Sequence, residues 1–184
     1  MTAGARHHFF WEFKKNEKKR GIAGKHGMIS HQVCAWDAEG VAYSGAADGR
    51  IFVWKERECV ESKEAHKGFI QSIRCVGKQL FTGGRDGMVM VHSTGDLTPG
   101  KVIDFGSKPC AIDFLNGSLL VGVRDGTIYH FEDYEDEASK KAIMHSHDNG
   151  EVWGLASCGV GYMVTTGDDN KVMCWDVEKR ILAK

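Results

Sequence analysis

The chain has 184 residues, with 24 Lys and Arg against 25 Asp and Glu, a net charge of −1. That length suits one domain. The charge balance argues against a wholesale nucleic-acid or membrane-surface binder, which needs a strong basic excess. No run approaches the ~18 apolar residues of a membrane span, and the opening MTAGARHHFFWEFKK lacks the apolar core of a secretory signal.

Glycine is frequent (23) and proline rare (2), which suits many tight hairpins whose strands keep their N–H donors. The six cysteines, Cys34, Cys59, Cys75, Cys110, Cys158 and Cys174, form no C-x-x-C pair. They read as reduced, buried, small apolar residues of a cytosolic protein.

Self-comparison finds a repeat. A degenerate copy, TAGARHHFFWEF, opens the chain and ends at Trp11. Four gapless copies follow: YSGAADGRIFVWKE, FTGGRDGMVMVHST, LVGVRDGTIYHFED and VTTGDDNKVMCWDV. In each, an Asp precedes an aromatic or His by six positions: Asp48 and Trp54, Asp86 and His92, Asp125 and Phe131, Asp169 and Trp175. Successive end positions fall 38 to 44 residues apart, the period of a four-stranded propeller blade.

Local chemistry agrees. Asp48-Gly49, Asp86-Gly87 and Asp125-Gly126 are dipeptides of tight hairpin turns with positive φ. A second hairpin precedes each, with turns at Glu39-Gly40, Gly77-Lys78, Asn116-Gly117 and Gly159-Val160-Gly161. Residues Ile51 to Trp54 are apolar throughout, which predicts a strand covered on both faces. The outer strands, near 58–63, 101–105, 140–144 and 180–184, are more polar, as an exposed sheet edge requires.

The expected fold is therefore all-β: a propeller of about four and a half four-stranded blades. Residues 1–24 supply two strands of a preceding blade, and the full blades span about 25–64, 65–106, 107–146 and 147–184. A ring of seven needs more strands than these, so an incomplete ring is expected. Its uncovered blade faces would favour self-association.

The repeat resembles the WD repeat. That resemblance implies a hydrogen-bonded set in each blade: a loop His, a Ser or Thr on the second strand, the turn Asp, and a Trp on the third strand. The last blade matches fully with His147, Thr165, Asp169 and Trp175. The second offers His66, Thr82 and Asp86, with His92 in place of Trp. The first offers Ser44, Asp48 and Trp54, with His26 or His31 as the partner. The third has Asp125 and Phe131, but Val121 where the hydroxyl belongs. Such a set contains a hydroxyl, a base and an acid, yet it recurs in degraded form. A catalytic set is needed once and must face a pocket, so the structural reading is expected and no enzyme activity.

Other motifs are weaker. The pairs His7-His8 and His145/His147 do not make the roughly four-ligand set of a zinc site, and no phosphate-binding loop is present. No metal or cofactor is expected. The stretch Lys14 to Gly21 (KKNEKKRG) is basic and Phe131 to Lys141 acidic, at corresponding loops. They read as solvated hairpin tips, or more sharply as steering surfaces for a charged protein partner. Arg85 and Arg124 immediately precede their turn Asp, and they are candidate partner contacts.

Longer phrases, among them GEVWGLA with GDDNKVMCWD and W-x-F…KKRGIAGK, resemble the echinoderm microtubule-associated protein-like family across nearly the whole chain. The resemblance implies tandem propellers in the cytoplasm that associate with tubulin or microtubules, including those of a cilium or flagellum. Neither nucleic acid nor membrane is an expected partner. The alternative is an adaptor of another complex, such as a ubiquitin ligase or a trafficking coat, since one fold serves many functions.

Overall fold

A computed structural model describes residues 1–148, 151–157 and 161–183. The described residues form nineteen strands, with three short 3-10 turns and no α-helix. The chain divides into two compact units, Met1–Phe114 and Leu115–Lys184.

The first unit holds three antiparallel sheets in simple sequential order. The first sheet is β1 (Thr2–Gly4), β2 (His7–Glu12) and β3 (Glu17–Arg20). The second is β4 (His31–Trp36), β5 (Val41–Ala46), β6 (Arg50–Lys55) and β7 (Glu58–Glu64). The third is β8 (Ile70–Val76), β9 (Gln79–Gly84), β10 (Met88–Ser93) and β11 (Pro99–Asp104). The strand β12 (Pro109–Leu115) ends at the division between the units. The second unit contains the sequential strands β13 (Ser118–Val123), β14 (Ile128–Phe131) and β15 (Lys141–Met144). It also contains a four-stranded sheet of β16 (Val152–Ser157), β17 (Tyr162–Gly167), β18 (Val172–Asp176) and β19 (Ile181–Leu182). The fold class is the expected one, all-β, built of antiparallel sheets whose strands follow in sequential order.

The apolar run in β6 explains how sheets stack in the first unit. Alternate side chains of a strand point to opposite faces. Ile51 and Val53 pack with Tyr43, Ile70, Leu80 and Leu97, joining the second sheet to the third. Phe52 and Trp54 pack with Ala23, Ala42 and Ala46 against Phe10, joining the second sheet to the first. All four are at most 2% exposed, and burying such a side chain contributes about 1.5–3 kcal/mol. The Ile70 side chain packs directly on the second sheet where glycine permits it: a Cβ on Gly45 would lie 2.6 Å from Ile70 Cγ2. On the far side of the third sheet, Ser72 Oγ donates to Pro109 O (3.2 Å), and Phe81 stacks on Phe114.

Turn chemistry sets the registers. Gly49, Gly87 and Gly126 all have φ between +83° and +90°, the left-handed region where a Cβ is strained. At Gly49 a Cβ would also fall 1.9 Å from His66 O, so that turn is closed to any other residue.

Two expectations are corrected. The opening segment carries three strands rather than two, because Thr2–Gly4 pairs with His7–Phe9. Cys110 is exposed and Cys34, Cys59, Cys75 and Cys174 are only half-buried, although all five are free thiols. Cys158 and most of the turn at 159–161 lie outside the described residues.

Candidate functional site

The residues singled out by the repeat come together in the last and third sheets. In the last sheet His147 lies in the loop before β16, Thr165 on β17, Asp169 in the turn to β18, and Trp175 on β18. His147 Nδ1 contacts both carboxylate oxygens of Asp169 at 2.9 and 3.0 Å, and Nε2 lies 2.9 Å from Thr165 Oγ1. Trp175 Nε1 donates to the same hydroxyl at 2.7 Å. For a neutral imidazole these contacts assign the protons. A carboxylate only accepts, so Nδ1 donates to it. Nε2 of a neutral imidazole must then accept from the Thr hydroxyl, whose oxygen accepts from the indole. The result is one polarised chain from indole to hydroxyl to imidazole to carboxylate.

Backbone N–H groups of Asp148 and Lys171 complete the shell around Asp169. Burial opposes ionisation of this carboxyl. The hydrogen bonds from His147, Lys171 and Asp148 outweigh it and hold the pKa down at about 2.

The third sheet repeats the arrangement. His66 Nδ1 bonds Asp86 at 3.0 and 3.2 Å, and Nε2 bonds Thr82 Oγ1 at 2.9 Å. His92, standing where Trp175 stands, reaches Thr82 Oγ1 with Nε2 at 3.3 Å. An imidazole thus replaces the indole N–H, at the cost of a second ring nitrogen, Nδ1, that is buried with no partner. Asp86 is also held below the usual carboxylate range. Its burial is opposed by the Lys67 N–H, by His66 and by the Met88 N–H.

In the second sheet the expected set is split. Ser44 Oγ lies 2.8 Å from His31 Nδ1 and accepts from Trp54 Nε1 at 2.8 Å. His31, rather than His26, is therefore the partner; His26 bonds Ser62 instead. Asp48 does not join them. Arg50 takes its carboxylate with Nε at 2.7 Å and a backbone N–H at 3.2 Å. The physical reason is position. His31 is the first residue of β4 and meets Ser44 from within the sheet. His26, in the loop before β4, is turned to Ser62, and the guanidinium two residues beyond Asp48 captures the carboxylate.

The sheet of β13 to β15 carries no such set. Val121 and Phe131 are fully buried apolar residues, and Asp125 only caps its own turn through the Thr127 N–H. Two features escaped the sequence reading. Trp11 Nε1 donates to Thr2 Oγ1 at 3.0 Å, the same indole–hydroxyl pair in the first sheet. His8 is fully buried beside His31, with ring centroids 4.2 Å apart, and neither of its nitrogens has a partner. Burial, then His7 and Arg20, push the His8 pKa down to about 4. Burial, then His8, push His31 down to about 3. Both imidazoles are neutral at pH 7.

The hydroxyls that resemble nucleophiles are sealed. Ser44 and Thr82 are fully buried and Thr165 is 8% exposed, so their oxygens meet only their structural partners. Arg85 and Arg124 are exposed, and neither side chain has a hydrogen bond or ion pair among the described residues. Among the described residues, no cluster of His, Cys, Asp or Glu could hold a metal ion.

Comparison with known proteins agrees with this geometry. The model of the WD domain, G-beta repeat, matches residues 57–93 and 138–176. Each match runs from the outer strand of one sheet through three strands of the next, and the two contain the two complete His–Thr–Asp sets. The Ciliary WD repeat-containing protein ctxp80 of Euplotoides octocarinatus is 37% identical over 97% of this chain, which covers 25% of that protein. The Echinoderm microtubule-associated protein-like elp-1 of Caenorhabditis elegans is 25% identical over 75% of the chain, covering 16% of that protein. The chain thus spans a quarter or less of these relatives. The crystal structure of the computationally designed Ika8 protein matches with a TM-score of 0.58 at 19% identity, over 96% of this chain and 54% of that one, a likeness of fold.

Proposed function

We propose that this chain of WD40 repeats is a non-catalytic, protein-binding scaffold of the cytoskeleton, with tubulin or the microtubule as partner in the cytoplasm, cilium or flagellum. One observation carries the non-catalytic part. The imidazole–hydroxyl–carboxylate set occurs twice among the described residues, in the third and last sheets, with its hydroxyl closed off, so its role is to fasten a sheet to the loop before it. Function then falls to the surface, as it does where rigid sheets position exposed loops. The cytoskeletal part is supported by similarity to a ciliary WD-repeat protein and, more distantly, to an echinoderm microtubule-associated protein-like protein.

Co-sedimentation with stabilised microtubules tests the reading. The chain is expected to pellet at low ionic strength and to be released by salt. A chain that stays in the supernatant at low salt contradicts it. Capture of ubiquitin-ligase or coat components without tubulin would favour the adaptor role.

A further inference from the structure

The hairpin joining β2 to β3 is unlike the other hairpins of the first unit. Its tip is a 3-10 turn, Phe13–Lys15, closed by Asn16 at φ +52°. That turn leaves Phe13 90% exposed, the most exposed large apolar side chain among the described residues. Around it stand five cations, Lys14, Lys15, Lys18, Lys19 and Arg20, against two carboxylates, Glu12 and Glu17. Lys15 pairs with Glu12 at 2.6 Å, and Lys18 lies over the rings of Phe9 and Trp11. Lys14, Lys19 and Arg20 have no ion-pair partner among the described residues. All four residues of β3 are exposed, and β3 is the outer strand of its sheet. Beside the hairpin is a recess of about 310 Å³ lined by Phe10, Trp11, Glu12, Lys19, Glu56 and Arg57.

We propose that this hairpin, with its free edge and adjoining recess, docks an acidic, extended polypeptide segment. The proposal rests on the reading of the chain as a protein-binding scaffold and supplies the partner's chemistry. An open strand edge presents unpaired N–H and C=O groups to another strand. Lysines along it repel a second copy of the same edge, whereas a segment bearing Asp and Glu gains charge complementarity and backbone pairing together. The recess takes one apolar side chain of that segment, and Phe13 covers it. A membrane surface fits less well, because one phenylalanine is a weak anchor. Nucleic acid fits less well too, because Glu12 and Glu17 interleave the cations.

The test is fluorescence anisotropy of a labelled glutamate-rich peptide titrated with the full 184-residue chain. Anionic vesicles and a short DNA duplex serve as competing probes. Salt-sensitive peptide binding is expected. It should weaken about tenfold or more in Lys18→Glu/Lys19→Glu/Arg20→Glu, and severalfold in Phe13→Ser, which leaves the strand edge intact. Charge reversal at Lys67, on another loop, should change nothing. Equal affinity of wild type and both variants overturns the proposal. Tighter binding to vesicles or DNA than to peptide, or salt-sensitive self-association in place of peptide binding, also overturns it. Peptide binding without microtubule pelleting would remove the tubulin reading alone, and pelleting unaffected by both hairpin variants would remove this one alone.

Discussion

The buried polar groups of this chain fall into two kinds, and pH separates them. Asp169 is ionised and fully engaged. Its pKa falls from 3.8 to about 2, so its contribution to stability is present above pH 3.8 and is lost as pH falls through 2. His8, His31 and His92 are buried and neutral, with folded pKa values of about 4, 3 and 4 against an ordinary 6.5. Below pH 6.5 the unfolded chain binds protons that the folded chain refuses, so stability falls with pH from 6.5 down to these folded values. Urea unfolding is predicted to show a steady loss across that window, well before the carboxylates titrate. His8→Phe keeps the ring contacts with His31 and Trp54 and removes two unsatisfied nitrogens. It should raise stability at pH 7 by about 1–2 kcal/mol and shallow the acid slope. An unchanged slope contradicts the assignment. The carboxylates differ in the same physical way. Asp169→Ala strands the His147 Nδ1 proton and two backbone N–H groups. Asp136→Ala removes only the exposed cap of a 3-10 turn. Thermal melting should drop much further for the first variant than for the second.

At the scale of strands and turns, most of the fold was legible because its signals are local. Asp-Gly turns demand positive φ, and the run Ile51 to Trp54 demands cover on both faces; the structure supplies both. Complete sets were equally legible in the last and third sheets, where a His stands in the loop before the first strand. The failures have physical causes too. Asp48 was diverted by Arg50, whose guanidinium reaches the turn while the loop His, His26, bonds Ser62; the Arg two residues past the turn Asp was the available signal. The Thr2–Trp11 pair was hidden because the first sheet's turn is shorter and lacks the Asp. Hydroxyl and indole are therefore nine residues apart, not ten. His8 could not be foreseen, since only the stacking of the first sheet on the second buries it. The stacking of the second sheet on the third depends in turn on Gly45, where a Cβ would press on the side chains of Ile70 and Val33 at 2.6–2.9 Å. Gly45→Val is predicted to cost about 1–3 kcal/mol by overpacking, read as a lower urea midpoint. A neutral result would mean the sheets are not seated face to face there.

Across the whole molecule the recurring device is one hydroxyl that joins strands within a sheet to a His at its entry. Thr82, Thr165 and Ser44 each hold this place. The indole or imidazole partner varies with the sheet, and so does the fate of the carboxylate. Such repetition is what a scaffold needs: the sheets that carry it are fixed in their own register, and the exposed loops remain free to differ, basic at Lys14–Arg20 and acidic at Glu132–Glu137. The most direct test of this fastening role is a double-mutant cycle in the third sheet, with His66→Ala, Thr82→Val and the double variant compared by urea unfolding. If the hydroxyl and imidazole form one structural chain with Asp86, the coupling should be about 1 kcal/mol or more. Strictly additive losses would contradict the account.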